Sequence, residues 1–187
     1  MDHPRPWLRY VDADDLDRSA DEFDFGGMHV HGTSGDHLGK VDGFIVDAAT
    51  GRPYYVVVDA GGWFKSKHFL VPIGHVAFER DQKRLVADLT RERVHTFPGF
   101  DRDKFEKLSE DDLNLMDEQI VAACCPTETV DRSKSSSRFD RWAHYKSPSW
   151  WDADFYRPDR VDKAMKDMAG ARRQVAAHDS GFKKTVH

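Results

Sequence analysis

The chain is poor in cysteine. Among its 187 residues only Cys124 and Cys125 carry thiols, and they are neighbours. Adjacent cysteines close at best a strained disulfide, and no CxxC pair is present to frame a zinc site. A disulfide scaffold is therefore excluded, and two reduced thiols near a helix end are expected. Long apolar runs are missing as well. No stretch of about 18 apolar residues occurs, so no transmembrane helix is expected. The opening MDHPRPWLRYVDADD lacks the apolar segment of a secretory signal, which leaves the cytoplasm as the expected location. Between residues 131 and 160 there is no Val, Ile, Leu or Met at all, so that segment has no means of building an ordinary core.

Hydrophobic residues make up 39% of the chain and charged residues 33%, so a core is expected over part of its length only. The net charge of −5 is unevenly spread: −6 over residues 1–36, +2 over 37–100, −5 over 101–125 and +4 over 126–187. Alternating acidic and mildly basic blocks suit docking within a chain or between subunits. Nucleic-acid binding usually needs a stronger basic field.

The apolar pattern turns to that of strands at Met28. Met28 and Val30 alternate with His29 and His31, and Thr33-Ser34-Gly35-Asp36 supplies a turn. Strands are expected over 41–46 (VDGFIV), 54–58 (YYVVV, aromatic and β-branched), 68–71 (HFLV) and 84–89, with a brief one over 76–78. Turns lie between them at Asp47–Pro53, Asp59–Gly62, Pro72–Gly74 and Asp81-Gln82. Short strands at close spacing predict a small antiparallel barrel, closed or nearly so. The absence of βαβ alternation argues against a doubly wound nucleotide fold. Thr90 is expected to cap a short turn through Val94. Ser109, followed by Glu110, Asp111 and Asp112, is expected to start a helix with Leu113, Met116 and Ile120 on one stripe, ended by Pro126. A second helix is expected over 159–177.

In this order, Leu38-Gly39-Lys40-Val41-Asp42-Gly43-Phe44-Ile45-Val46-Asp47, Thr50-Gly51-Arg52, Tyr55-Val56-Val57-Val58-Asp59-Ala60-Gly61-Gly62 and Phe69-Leu70-Val71-Pro72-Ile73 resemble the PRC-barrel family. Each motif is weak singly; their order and spacing are fairly specific. The resemblance covers about residues 27–95. It implies a small β-barrel similar to the cytoplasmic domain of the photosynthetic reaction-centre H subunit and to the C-terminal domain of the RimM-type ribosome-maturation factor. In both, the barrel is a docking and assembly module, and the family has no general catalytic motif to carry over. The fold class expected is mainly β with helical additions. The layout expected is an acidic extension (1–26), the PRC-like barrel (27–95), a linker and helix (96–125) and an extended aromatic-rich tail with a terminal helix (126–187).

GTSGDHLGK, residues 32–40, ends in Gly-Lys like a phosphate-binding loop. It has three residues, not four, between Gly35 and Gly39, Ser34 at the position a glycine must hold, and Val41 after the lysine. It reads as a hairpin turn. His29 and His31, two apart, share one face of a strand, with His37 across the turn. Three imidazoles suit zinc, copper or nickel, although solvated histidines are the commoner outcome and no fourth ligand is set by spacing. No G-x-S-x-G elbow is present, and cysteines at a helix C-terminus are not activated. Neither enzymatic activity nor a cofactor is expected. The candidate interaction surface combines the basic aromatic loop Trp63, Phe64, Lys65 and Lys67 with the tail aromatics Trp142, Trp150, Trp151 and Tyr156. The expected function is a non-enzymatic, self-associating protein-interaction and assembly module, with the tail aromatics stapling it to itself, to a second copy or to a partner. The alternatives are RNA or ribosome association through loop 63–67 and the basic tail, and metal binding through His29, His31 and His37.

Overall fold

The computed structural model describes residues 8–16, 24–64, 66–124 and 144–151. Seven strands form one sheet: β1 (Leu8–Asp12), β2 (His29–Gly32), β3 (His37–Asp47), β4 (Pro53–Asp59), β5 (His68–Pro72), β6 (Val76–Glu79) and β7 (Arg84–Ala87). Three helices follow: α1 (Arg91–Val94), α2 (Arg102–Phe105) and α3 (Glu110–Cys124). The strand order is β5-β4-β3-β2-β7-β6, with β1 added on β3. The fold is thus mainly β with helical additions. Among the described residues no ladder joins β5 to β6. The two ends are linked by a 3-10 turn at Ile73–His75, and the sheet is barrel-like without hydrogen-bonded closure. Nor is it wholly antiparallel, as was expected, because β2 and β7 run parallel, with Val30 opposite Leu85.

The eleven-residue β3 is the spine. One edge pairs with β4 from Lys40 to Val46. The other edge is shared, by β2 at His37–Lys40 and by β1 at Gly43–Asp47. The sequence stretch assigned to an acidic extension therefore contributes a strand, with Tyr10 and Val11 buried against β3. The missed strand is LRYVD, five residues that run into an acidic stretch, too short and too polar in context to signal itself.

Burial along β3 and β4 does not alternate. All six residues from Pro53 to Val58 are buried, as are the four from Gly43 to Val46. A strand covered on both faces has this pattern. Val56, Val57, Val58, Phe44 and Ile45 are fully enclosed, each contributing roughly 1.5–3 kcal/mol by burial. Part of the cover comes from the helices. Thr90 caps α1 by accepting from the Arg93 amide, and Asp101 caps α2. Ser109 and Asp112 form a reciprocal cap at the start of α3, the Ser109 hydroxyl donating to the Asp112 carboxylate and accepting from its amide. That pair holds the exposed Asp112 carboxyl below the ordinary range, through the Ser109 hydroxyl first. The stripe that α3 buries is Asp117, Ile120 and Cys124. Of the expected stripe, Leu113 and Met116 are only half-buried. No helix among the described residues is long and apolar enough to cross a membrane. Cys125 and the helix expected over 159–177 lie outside the described residues.

GTSGDHLGK is the β2–β3 hairpin. The Gly32 amide donates to the Asp36 carbonyl and the Gly35 amide to the Gly32 carbonyl. Gly35 (φ 85°) and Gly39 (φ 152°) both use backbone that side-chain-bearing residues avoid. Their surroundings differ: a Cβ on Gly35 meets nothing within 4 Å, whereas one on Gly39 lies 2.2 Å from the Asp59 carbonyl oxygen. Gly35→Ala is expected to cost only the left-handed strain of about 1–2 kcal/mol. Gly39→Ala is expected to cost clearly more, because β4 must shift. Urea unfolding of the two variants, with equal losses as the contrary result, checks this.

Candidate functional site

Residues 144–151 lie as a strap on the barrel, in a seat rich in polar and aromatic groups. Its backbone and side chains bond to barrel groups at several points. The Gly74 amide donates to the His144 carbonyl at 2.7 Å, and Arg52 donates to the Tyr145 carbonyl at 3.1 Å. The Trp150 indole donates to the Val76 carbonyl at 3.2 Å, and the Trp151 indole to the Gly51 carbonyl at 3.1 Å. His144 is buried and stacks on His75, with ring nitrogens 2.6 Å apart. The tryptophan rings close over Phe25 and Phe44, with Trp151 4.9 Å from Phe44 and Trp150 5.7 Å from Phe25 between centroids. A buried tryptophan needs a partner for its N–H, and both find a backbone carbonyl.

Beneath the strap lies a buried carboxylate. Asp117, on α3, is 5% exposed. Tyr55 of β4 and Tyr145 of the strap both donate to its Oδ1, and their hydroxyl oxygens are 2.8 Å apart. Burying a carboxylate is costly unless hydrogen bonds replace its water. The phenols do so, and both are held well above the ordinary tyrosine range. For Tyr55 the cause is burial, then the neighbouring Tyr145 and Asp117; for Tyr145 it is burial, then Asp117. Asp117 falls between Leu113 and Ile120 on the expected helical stripe. A lone acid on an apolar stripe was the signal available in the sequence for this site.

The expected surface patch is arranged differently. Phe64 is buried, packed edge-on against Phe69. Trp63 is half-buried: its indole donates to the Leu38 carbonyl at 3.1 Å, and the Arg91 guanidinium sits 4.7 Å over its ring. Only Lys67 of the described loop residues expected to make contact is exposed. Trp150 and Trp151 are buried by the chain's own barrel. Lys65, Trp142 and Tyr156 lie outside the described residues.

The three histidines do converge. His29 Nδ1 is 2.8 Å from His37 Nε2, and one ligand nitrogen of each of the three rings lies within 4.8 Å of the others. His31 Nδ1 is 3.2 Å from the Gly35 carbonyl, a bond that leaves Nε2 as the free lone pair. His37 is held below the ordinary histidine range, first by desolvation and then by His29, His31, Arg91 and Lys40. Neutral imidazole is the ligating form, but the nearby Arg91 and Lys40 oppose a bound metal.

The raised phenols set an alkaline limit. A tyrosine whose folded pKa exceeds its unfolded value of about 10 contributes stability below that pH and loses it as pH climbs above. The urea midpoint is expected to fall above about pH 10, less steeply in Tyr145→Phe. At neutral pH Tyr145→Phe is expected to cost about 1.5–3 kcal/mol, for loss of a bond to a charged group. An unchanged midpoint at neutral pH would refute the buried network.

Residues 21–94 match the PRC-barrel domain family. A protein of Deinococcus radiodurans, described only as uncharacterized, is 39% identical to this chain over 75 residues. That similarity covers 36% of this chain and 27% of the relative, so the chain spans about a quarter of that protein's length. The segment similar to the PRC-barrel domain family, residues 21–94, holds β2 through β7 and α1 as its elements.

Proposed function

We propose that the chain is a non-enzymatic docking and assembly module that self-associates by exchanging its strap between copies. The observation that carries this is the seating of residues 144–151. Gly51, Gly74 and Val76 present backbone groups and Phe25 and Phe44 present rings. Such a surface accepts an extended aromatic segment equally well from its own chain or from a neighbour. Exchange of an identical element is a low-cost route to a dimer. Residues 125–143 separate α3 from the strap, and nineteen residues fully extended reach roughly 60 Å, enough to cross to a second copy. The RNA reading has weaker support, because the rings of Trp63 and Phe64 are engaged within the fold and are not free to stack on bases.

Sedimentation equilibrium is the test. The full chain is expected to form a dimer at tens of micromolar, and Trp150→Ala with Trp151→Ala to shift it to monomer. A full chain that stays monomeric at every concentration overturns the proposal. Should the double variant fold poorly, two differently tagged wild-type chains, mixed and gently warmed, are expected to co-purify.

Metal capture is a second reading, supported by the convergence of His29, His31 and His37. Calorimetric titration with Ni2+ is expected to show binding that His31→Ala weakens at least tenfold. No heat at micromolar protein and metal would dismiss it.

A further inference from the structure

A separate cluster sits on three adjacent strands. Asp42 comes from β3, Asp59 from β4 and His68 from β5. Asp59 and His68 are direct cross-strand partners, and the hairpin loop between them is closed by the Ala60 amide donating to the Lys67 carbonyl at 2.7 Å. Asp42 is the residue skipped where the β3–β4 register shifts between Val41 and Gly43. Such bulges re-aim a side chain. His68 Nε2 lies 3.6 Å from Asp42 Oδ1 and 3.9 Å from Asp59 Oδ2. Both distances exceed a hydrogen bond, so the donor atoms converge without bonding one another.

The other oxygen of each carboxylate is already committed. Tyr10 donates to Asp42 Oδ2 at 2.8 Å, and the Gly61 amide donates to Asp59 Oδ1 at 2.8 Å. Each partner anchors one oxygen and leaves the second directed at the same point as His68 Nε2. Outer hydrogen bonds of this kind orient metal ligands. Tyr10 reaches Asp42 because residue 43 is glycine: a Cβ there falls 2.8 Å from the Tyr10 ring and 2.4 Å from the Val11 carbonyl oxygen. All three side chains are partly exposed, and Asp42 and His68 line an open groove together with Asp12, Lys67 and Arg102. Ligands about 2.1 Å from a tetrahedral ion stand roughly 3.4 Å apart, close to the separations found here.

We propose that Asp42, Asp59 and His68 bind a divalent first-row cation, with its remaining coordination positions open to the groove. Two carboxylate oxygens and one imidazole form a mixed hard and borderline donor set, suited to Mn2+ or Zn2+. The site is distinct from the three histidines on the β2–β3 hairpin and from the strap, and it stands whether or not the chain self-associates.

The test uses the full chain and Mn2+, followed by the loss of the free-ion electron paramagnetic resonance signal. Wild type and His31→Ala are expected to bind one Mn2+ equally, which separates this site from the hairpin histidines. Asp42→Asn and Asp59→Asn are expected to weaken binding at least tenfold. Tyr10→Phe, which removes no ligand, is expected to weaken it by about tenfold. Mn2+ is also expected to raise the melting temperature of wild type and not of Asp59→Asn. The same circular dichroism spectrum for each variant shows that the fold is retained. The proposal is overturned if millimolar Mn2+ leaves the signal unchanged. It is equally overturned if the folded Asp42→Asn and Asp59→Asn proteins bind as tightly as wild type, the result for a mere ion pair of His68 with the carboxylates.

Discussion

A carboxylate buried on α3 couples three parts of the chain that are far apart in sequence. Asp117 accepts one phenol from β4 and one from the strap. A carboxylate without donors at 5% exposure would destabilise the fold strongly. The position of α3 on the barrel and the seating of residues 144–151 therefore depend on each other. This gives the strap a geometric requirement beyond the adhesion of two tryptophans: Tyr145 has to arrive where its hydroxyl meets both Tyr55 and Asp117. Burial of Trp150 and Trp151 supplies area, and the carboxylate supplies register.

The second constraint is the length and irregularity of β3. One strand pairs with β4 along one edge and with both β1 and β2 along the other. It shifts register twice against β4, and these shifts go with the curvature that brings the sheet toward a barrel. Gly39 lets β3 pass against the Asp59 carbonyl, and Gly43 lets the Tyr10 ring cross it. The same departures from a regular ladder bring Asp42 alongside Asp59 and His68. Shape and polar clustering arise here from the same few residues.

How much was legible varied with the range of the interaction involved. The β-branched run at Tyr54–Val58, the turn at Gly35 and the caps at Thr90 and Ser109 are local signals, and each was read correctly. The PRC-barrel motifs carried the domain. β1 escaped because its five residues are too few to show a periodicity, and α2 because its four residues give a capping aspartate and little else. The Trp63 loop was read as a contact surface from its lysines and rings, but composition does not say which way a ring points. In the folded chain Leu38 and Arg91, distant in sequence, take up both faces of its chemistry. Trp150 and Trp151 stood out in the sequence as aromatic anchors; the carbonyls of Val76 and Gly51 that receive them did not.

The amino-acid sequence by itself therefore determined most of the strands, their turns, the likeness to the PRC-barrel family and the anchoring character of Trp150 and Trp151. These follow from backbone preference and side-chain periodicity, which act over a few residues. The parallel pairing of β2 with β7, the double burial of β4, the Tyr55–Asp117–Tyr145 network and the meeting of Asp42, Asp59 and His68 were decided only in three dimensions. Each joins residues whose proximity depends on how the sheet curves and where α3 and the strap come to rest, and no local pattern encodes that geometry.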